Sequence, residues 1–235
     1  MLKIDIISCQ PQMFRGFLEE SMVSRAVKKG ACSVNIVNLR DFAHDSYRKI
    51  DDKPYGGGPG MLMMCEPWFE AVESCLGDAN AVKPRVLMTS PAGRRFDQAM
   101  AEELSREAHL VFMCGHYEGF DERIKTLATD EVSLGDFVMT GGELAAAAMT
   151  DAIIRLLPGV LGGGASATAR ESFANGGILE APQYTHPPVF RGMKVPEVLL
   201  SGNHAKIEEW RANAALRLTR ERRPDLLEKR DNEIL

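Results

Sequence analysis

The stretch from Ser133 to Gly162, SLGDFVMTGGELAAAAMTDAIIRLLPGVLG, constrains this chain more than any other. It reads as a short apolar strand, Phe137-Val138-Met139, set between Gly135 and the pair Gly141-Gly142. A helix of about fifteen residues follows, and its only polar positions in the second half are Thr150, Asp151 and Arg155. A helix with so little polar surface is expected to be buried. Glycines at both ends of a strand let its backbone approach another backbone or a ligand. The expectation is a buried, glycine-edged pocket with an arginine nearby.

The segments before it alternate strand and helix. Leu2 to Ile7 is an apolar run with one charge near its middle, as an interior strand has. Phe14 to Lys29 has helical spacing and is closed by Gly30. Ser33 to Leu39 alternates as a second strand. An irregular segment, 40–60, then ends in DDKPYGGGPG, and a helix starts at Pro67. A strand over 85–89 runs into Ser90-Pro91-Ala92-Gly93, a helix covers 97–108, and a strand over 110–114 runs into GHYEGFDER. This order predicts an α/β fold with a mainly parallel sheet covered on both faces. Ligands on such sheets gather at the carboxyl ends of the strands. Here those ends are SPAG, GHYEG and the segment from SLG to TGG.

Beyond Gly162 the character changes. Residues 163–176 are small, polar and Gly-rich, which predicts a flexible linker without a core of its own. Residues 177–235 read as a small helical domain. Asn203 offers an N-cap for a helix from His204 to about Arg222, with Ile207, Trp210, Ala214 and Leu218 as its inner stripe. Six cations (Lys206, Arg211, Arg217, Arg220, Arg222, Arg223) face three glutamates there, a locally basic helix.

Charge and cysteine usage narrow the function. A formal net charge of −5 excludes binding by general basicity, so any nucleic-acid contact must come from a local patch. Five cysteines without a CxxC pair, and five scattered histidines, signal neither a disulfide framework nor a zinc site. The start MLKIDIIS is a strand pattern rather than a signal peptide, and no apolar run reaches membrane length. The expectation is a cytoplasmic protein with no membrane association.

Six motifs together carry a family resemblance: DDKPYGGGPGM, SPAGRR, CGHYEGFDER, SLGDFVMTGGEL, DAIIRLLPGVLG and LLSGNHAKIEEWR. In this order, and across nearly the whole chain, they resemble the bacterial tRNA (guanine-N1)-methyltransferases, the TrmD type of the SPOUT superfamily. The resemblance implies a deep trefoil knot in the α/β domain (1–162) and S-adenosylmethionine bound bent among the knotted loops. It implies an obligate homodimer with active sites at the interface. The implied reaction is methyl transfer to N1 of the guanosine at tRNA position 37, with a guanosine preferred before it. A magnesium ion is also associated with the family's catalysis, and the sequence offers no dedicated ligand cluster for it.

By resemblance the cofactor is lined by Thr89, Ser90, Pro91, Gly115, Tyr117 and Glu118, then by Leu134, Gly135, Asp136, Phe137, Val138, Met139, Gly141 and Gly142. Adenine and ribose need neutral donors and acceptors, which backbone groups in Gly-rich loops supply; no GxGxxG diphosphate cradle is present. The resemblance also implies that Asp52, Tyr55 and Gly58 belong to a tight loop beside the target base, without saying which of them touches it. Its GGGPG lacks the Gly-Lys-Ser/Thr ending of a phosphate loop. Ser172 in the linker, which either orients the neighbouring carboxylate or touches the tRNA backbone, and Arg217 and Arg220 in the helical domain are the expected tRNA contacts.

The chemistry sets two demands. N1 of guanine must lose a proton, and negative charge then builds on O6; a carboxylate meets the first and a fixed cation the second. Arg155 is the cation by resemblance, weighed against an i, i+4 ion pair with Asp151. The base marks a departure from the family, which has Asp before Ser-Phe where this chain has Glu171-Ser172-Phe173. The extra methylene shifts the carboxylate by about 1.5 Å, and misplacement of that size costs about a hundredfold unless the linker adjusts. Glu171 is taken as general base, acting on the partner subunit's site. Further departures are His116 for a commoner arginine and Ala145 for a commoner proline. Competing readings are a tRNA-binding homologue that has lost its base, a SPOUT enzyme acting on ribosomal RNA, and a nucleotide enzyme using GGGPG.

Overall fold

The computed structural model describes residues 1–77, 83–162 and 168–228. The chain divides into two compact units, 1–162 and 163–235.

The first unit is built on five parallel strands: β1 (Leu2–Ser8), β2 (Cys32–Asn38), β5 (Arg85–Arg95), β6 (His109–Met113) and β7 (Asp130–Ser133), in the order β2-β1-β6-β5-β7. Two further strands among the described residues, β3 (Asp51–Asp52) and β4 (Leu62–Met63), form a small antiparallel pair. The α/β class with a mainly parallel sheet is thus as the strand–helix alternation predicts. Both faces of the sheet are covered, and the period of two sorts the side chains. Ile4, Ile6, Leu87, Leu110 and Phe112 join one core. Ile7, Val86, Met88, Val111 and Met113 join the other. Each such side chain contributes about 1.5–3 kcal/mol when fully buried.

The first core is covered by α2 (Ser21–Lys28), α4 (Gln98–Leu104) and α5 (Glu143–Ile154), the second by α3 (Cys65–Leu76) with the fully buried Trp68. Asp97 caps α4 by accepting the Met100 amide at 3.0 Å. A polar group is buried in β1 as well: Asp5 accepts from Asn35 Nδ2 at 2.9 Å and meets His109 Nε2 at 2.7 Å and Lys3 Nζ at 2.9 Å.

Three local expectations are corrected. Phe137-Val138-Met139 is not a strand: pairing with β5 ends at Ser133, and the run continues as an irregular segment with Phe137 and Val138 exposed. The single helix over 14–29 is broken, into a 3₁₀ turn (Pro11–Phe14), α1 (Arg15–Glu19) and α2, because Glu20 is extended and Ser21 takes φ +60°. The helix α5 is buried on one side only. Ala145, Ala146, Met149, Ile153 and Ile154 face the core, while Leu144, Ala148 and Asp151 lie exposed at i, i+4, i+7 spacing.

In the second unit, local hydrogen bonds hold 168–176, the described part of the segment that the sequence reads as a flexible linker. The Phe173 amide donates to Ile178 O at 2.8 Å and the Glu180 amide to Ser172 Oγ at 3.0 Å. The rest of that segment, 163–167, lies outside the described residues. A helical turn, α6 (Ala174–Gly177), is followed by the hairpin β8 (Val189–Phe190) and β9 (Met193–Lys194), whose turn residues Arg191 and Gly192 both have positive φ. The short α7 (Glu197–Leu200) precedes α8 (His204–Arg222), capped by Asn203 Oδ1 at 3.2 Å from the Lys206 amide. The buried stripe of α8 is Ala214, Ala215 and Thr219, with Trp210 packed alongside. Thr219 was not foreseen there. Its hydroxyl donates to Ala215 O and accepts from the Leu179 amide, which allows its burial.

Candidate active site

The carboxyl ends of β5, β6 and β7 converge as the parallel topology requires, and their three loops enclose a cleft of about 320 Å³. Backbone approaches this close need small residues. The Gly142 amide donates to Gly115 O at 2.7 Å, tying the third loop to the second. A Cβ on Gly142 would collide with Thr89 Oγ1, and one on Gly93 with the backbone of Glu131 and Val132. Thr89 joins the first loop to the second, its hydroxyl donating to Met113 O at 2.9 Å and accepting from the Gly115 amide at 3.3 Å.

The first loop corrects an expectation. Strand β5 does not stop at Thr89 but resumes against β7 at Arg94, so 90–93 bulges out over the cleft. The second loop turns through Tyr117, a non-glycine residue at φ +58°. Such backbone strain collects at functional sites. Burial, and then the negative charge of Asp51, push the Tyr117 hydroxyl above its ordinary pKa.

The cleft is lined by Thr89, Ser90, Pro91, Gly115, Tyr117, Glu118, Leu134, Gly135, Phe137, Val138, Met139, Gly141 and Gly142. Of the residues assigned to the cofactor from the sequence, Asp136 alone is not part of the lining; it is exposed. Glu131, not anticipated, contributes a carboxylate whose Oε1 is buried without a hydrogen-bond partner. An orphaned acceptor in a cleft is a place for a ligand donor. His116 also lines the cleft, beside the buried Glu143 carboxylate, which accepts from Ser8 Oγ at 2.8 Å. Nothing in the periodicity marked Glu143, because the first turn of an apolar helix reads as its exposed end.

The GGGPG loop reaches this site through Glu118. The Glu118 amide donates to Met61 O at 3.0 Å, and its side chain packs on Gly60, where a Cβ would clash. Gly56, Gly57, Gly58 and Gly60 all have positive φ, which explains the glycine run. Tyr55 is fully exposed, Gly58 has open space around it, and Asp52 pairs with Lys49 at 3.0 Å.

Arg155 corrects the expectation of a cation beside the pocket. It is the C-cap of α5, whereas the cleft lies at the N-terminal end of that helix. Twelve residues of helix separate the two by about 18 Å. Glu171 sits in the second unit, half-buried in the turn before α6, with its amide on Thr168 O at 3.3 Å. Its neighbour Phe173 is left-handed at φ +71°. Arg217 and Arg220 are exposed on α8 and form no ion pair among the described residues, unlike Arg211 and Arg170, which both pair with Glu208.

The family model described as tRNA (Guanine-1)-methyltransferase TrmD matches residues 2–229. A tRNA (guanine-N(1)-)-methyltransferase of Moorella thermoacetica is 53% identical over 227 residues, covering 96% of this chain and 90% of its own. Relatives of the same description from Lactiplantibacillus plantarum and Listeria innocua are also 53% identical, with 96% of this chain and 91% and 92% of theirs covered. No helix among the described residues is long and apolar enough to cross a membrane.

Proposed function

The chain belongs to the tRNA (guanine-N1)-methyltransferase family, and from that membership we propose that it methylates N1 of the guanosine at position 37 of tRNA, in the cytoplasm, using S-adenosylmethionine. The observation that carries this reading is the cleft itself. It is glycine-edged, has about 320 Å³ of room, within the range of small-molecule sites, and holds an orphaned carboxylate oxygen on Glu131.

S-adenosylmethionine fits that cleft. Backbone groups of the three loops would meet its adenine and ribose, and Glu118 and Glu131 would face its positive charge or its hydroxyls. When bound it supplies an electrophilic methyl group. The chain must then make N1 a nucleophile. Glu171 accepts the N1 proton, and Arg155 stabilises the charge that moves onto O6. Such a preorganised donor is worth about 10²–10³ in turnover.

One chain does not bring these parts together on α5, because Arg155 caps the end remote from the cleft. A homodimer in which each cleft is completed by the partner's Arg155 and the partner's Glu171 resolves this. The exposed apolar side chains beside the cleft, Phe137, Val138 and Leu144, support the same assembly. The knot of the SPOUT fold is supported by the close passage of the loops at Gly93, Gly115 and Gly142. Basic residues of α8, Arg217 and Arg220 first, position tRNA phosphates. Magnesium finds no matching three-ligand cluster among the described residues. The two ligand clusters among the described residues, Cys9/His116/Glu143 and His44/Glu66/Glu70, each include a nitrogen or sulfur donor, whereas magnesium takes oxygens.

The test is methyl transfer from labelled S-adenosylmethionine to a tRNA transcript with guanosine at positions 36 and 37, against one with adenosine at 37. Label on the first alone is expected. Cofactor binding without label on either would favour the homologue that has lost its base.

A further inference from the structure

Next to the cleft, three side chains of different chemistry converge from three parts of the chain: Cys9 just past β1, His116 from the loop after β6, and Glu143 opening α5. Their Sγ, ring nitrogen and carboxylate oxygen all lie within 4.8 Å of one another. Two of the three are enclosed, while His116 keeps a quarter of its side chain exposed. Cys9 is 4% exposed and Glu143 2%.

Two features ask for a cation here. His116 Nδ1 is buried and makes no hydrogen bond, although it faces Glu143 Oε2 at 3.6 Å. A carboxylate removed from water needs a positive or fully hydrogen-bonding partner, and among the described residues the neutral Ser8 Oγ is the donor given to Glu143. A metal ion placed among the three atoms would answer both needs.

We propose that Cys9, His116 and Glu143 form a binding site for a zinc-class divalent ion at the edge of the cleft. The donor set selects the metal. One thiolate, one imidazole and one carboxylate suit zinc, while calcium and magnesium take oxygens alone. A ring nitrogen and carboxylate oxygen 3.6 Å apart are near the spacing two ligands keep when each is about 2.0–2.1 Å from a tetrahedral ion. Ser8 holds the other carboxylate oxygen, the outer-shell support that metal ligands commonly have. Three protein ligands would leave a fourth position for water or a ligand, and His116 is the one of the three that also lines the cleft. The ion would pin the ends of β1, β6 and α5 together.

The test uses the full chain, stripped with chelator and titrated with cobalt(II) as a spectroscopic stand-in for zinc. One equivalent is expected to give a thiolate-to-cobalt charge-transfer band with tetrahedral visible bands, both abolished by added zinc. Cys9→Ser should remove the charge-transfer band. His116→Arg should weaken cobalt binding at least tenfold, with thermal melts confirming that both variants fold. Glu70→Gln, in the exposed His44/Glu66/Glu70 cluster, should leave the band intact. No charge-transfer band in the parent, or a band that survives Cys9→Ser, overturns the proposal.

Discussion

The Gly142 amide donates to the carbonyl of Gly115 at 2.7 Å, so the loop after β7 is stitched to the loop after β6 directly through backbone. No side chain fits at that seam, because a Cβ on Gly142 would collide with Thr89 Oγ1 and stand 3.0 Å from Cys114 Cα. The cleft therefore depends on a residue that contributes no chemistry. Gly142→Ala should lower S-adenosylmethionine affinity more than tenfold, a cost of about 1.4 kcal/mol or greater. Isothermal titration reads this directly, and an unchanged Kd would show that the loops have slack the packing denies.

On the proposed function, Arg155 serves the chemistry and not the binding of the cofactor. Its place at the C-terminal end of α5 keeps it out of its own chain's cleft. Arg155→Ala is expected to leave cofactor affinity unaltered and to reduce kcat by about 10²–10³. A fall in cofactor affinity instead would place the guanidinium against the cofactor rather than the base.

The exposed arginines of α8 predict a salt signature. Arg217→Glu and Arg220→Glu should each weaken tRNA binding and make its log–log dependence on salt shallower by about 1. Filter binding across a salt series measures both. Equal slopes in parent and variant would mean that these side chains do not meet phosphate.

Stability carries its own pH dependence through Asp5. Burial alone would raise its pKa, but hydrogen bonds from Asn35, Lys3 and His109 outweigh that and hold it below the usual carboxylate value. A depressed folded pKa stabilises fully above the unfolded value of about 3.9 and is lost as pH falls through the folded one. The parent should thus lose urea resistance below about pH 4 more steeply than Asp5→Asn. At pH 7 that variant should be less stable by about 2 kcal/mol. Parallel pH profiles would remove Asp5 from the account.

Legibility in the sequence followed the range of the interactions. Strand–helix alternation and the punctuation at SPAG, GHYEG and TGG gave the parallel sheet and three loops that do meet. The Asn203 cap and the start of α8 were equally readable, since capping is local. Phe137-Val138-Met139 misled because apolar side chains lining a cleft look like those of a buried strand, and only the end of pairing at Ser133 tells them apart. The break at Ser21 left no signal in the apolar spacing. Glu143 and Thr219 were hidden because their burial is answered from elsewhere in the chain, by Ser8 135 residues from Glu143 and by the Leu179 amide 40 residues from Thr219.

We propose that the carboxylate of Glu171 takes the proton from N1. Glu171→Gln keeps size and hydrogen bonding while removing the base. The decisive measurement is its single-turnover methyl transfer to the guanosine-37 transcript, with S-adenosylmethionine and tRNA affinities measured in parallel. A rate lower by about 10²–10⁴ with both affinities intact is the predicted result. A rate equal to the parent's would contradict the account and leave the proton to another group.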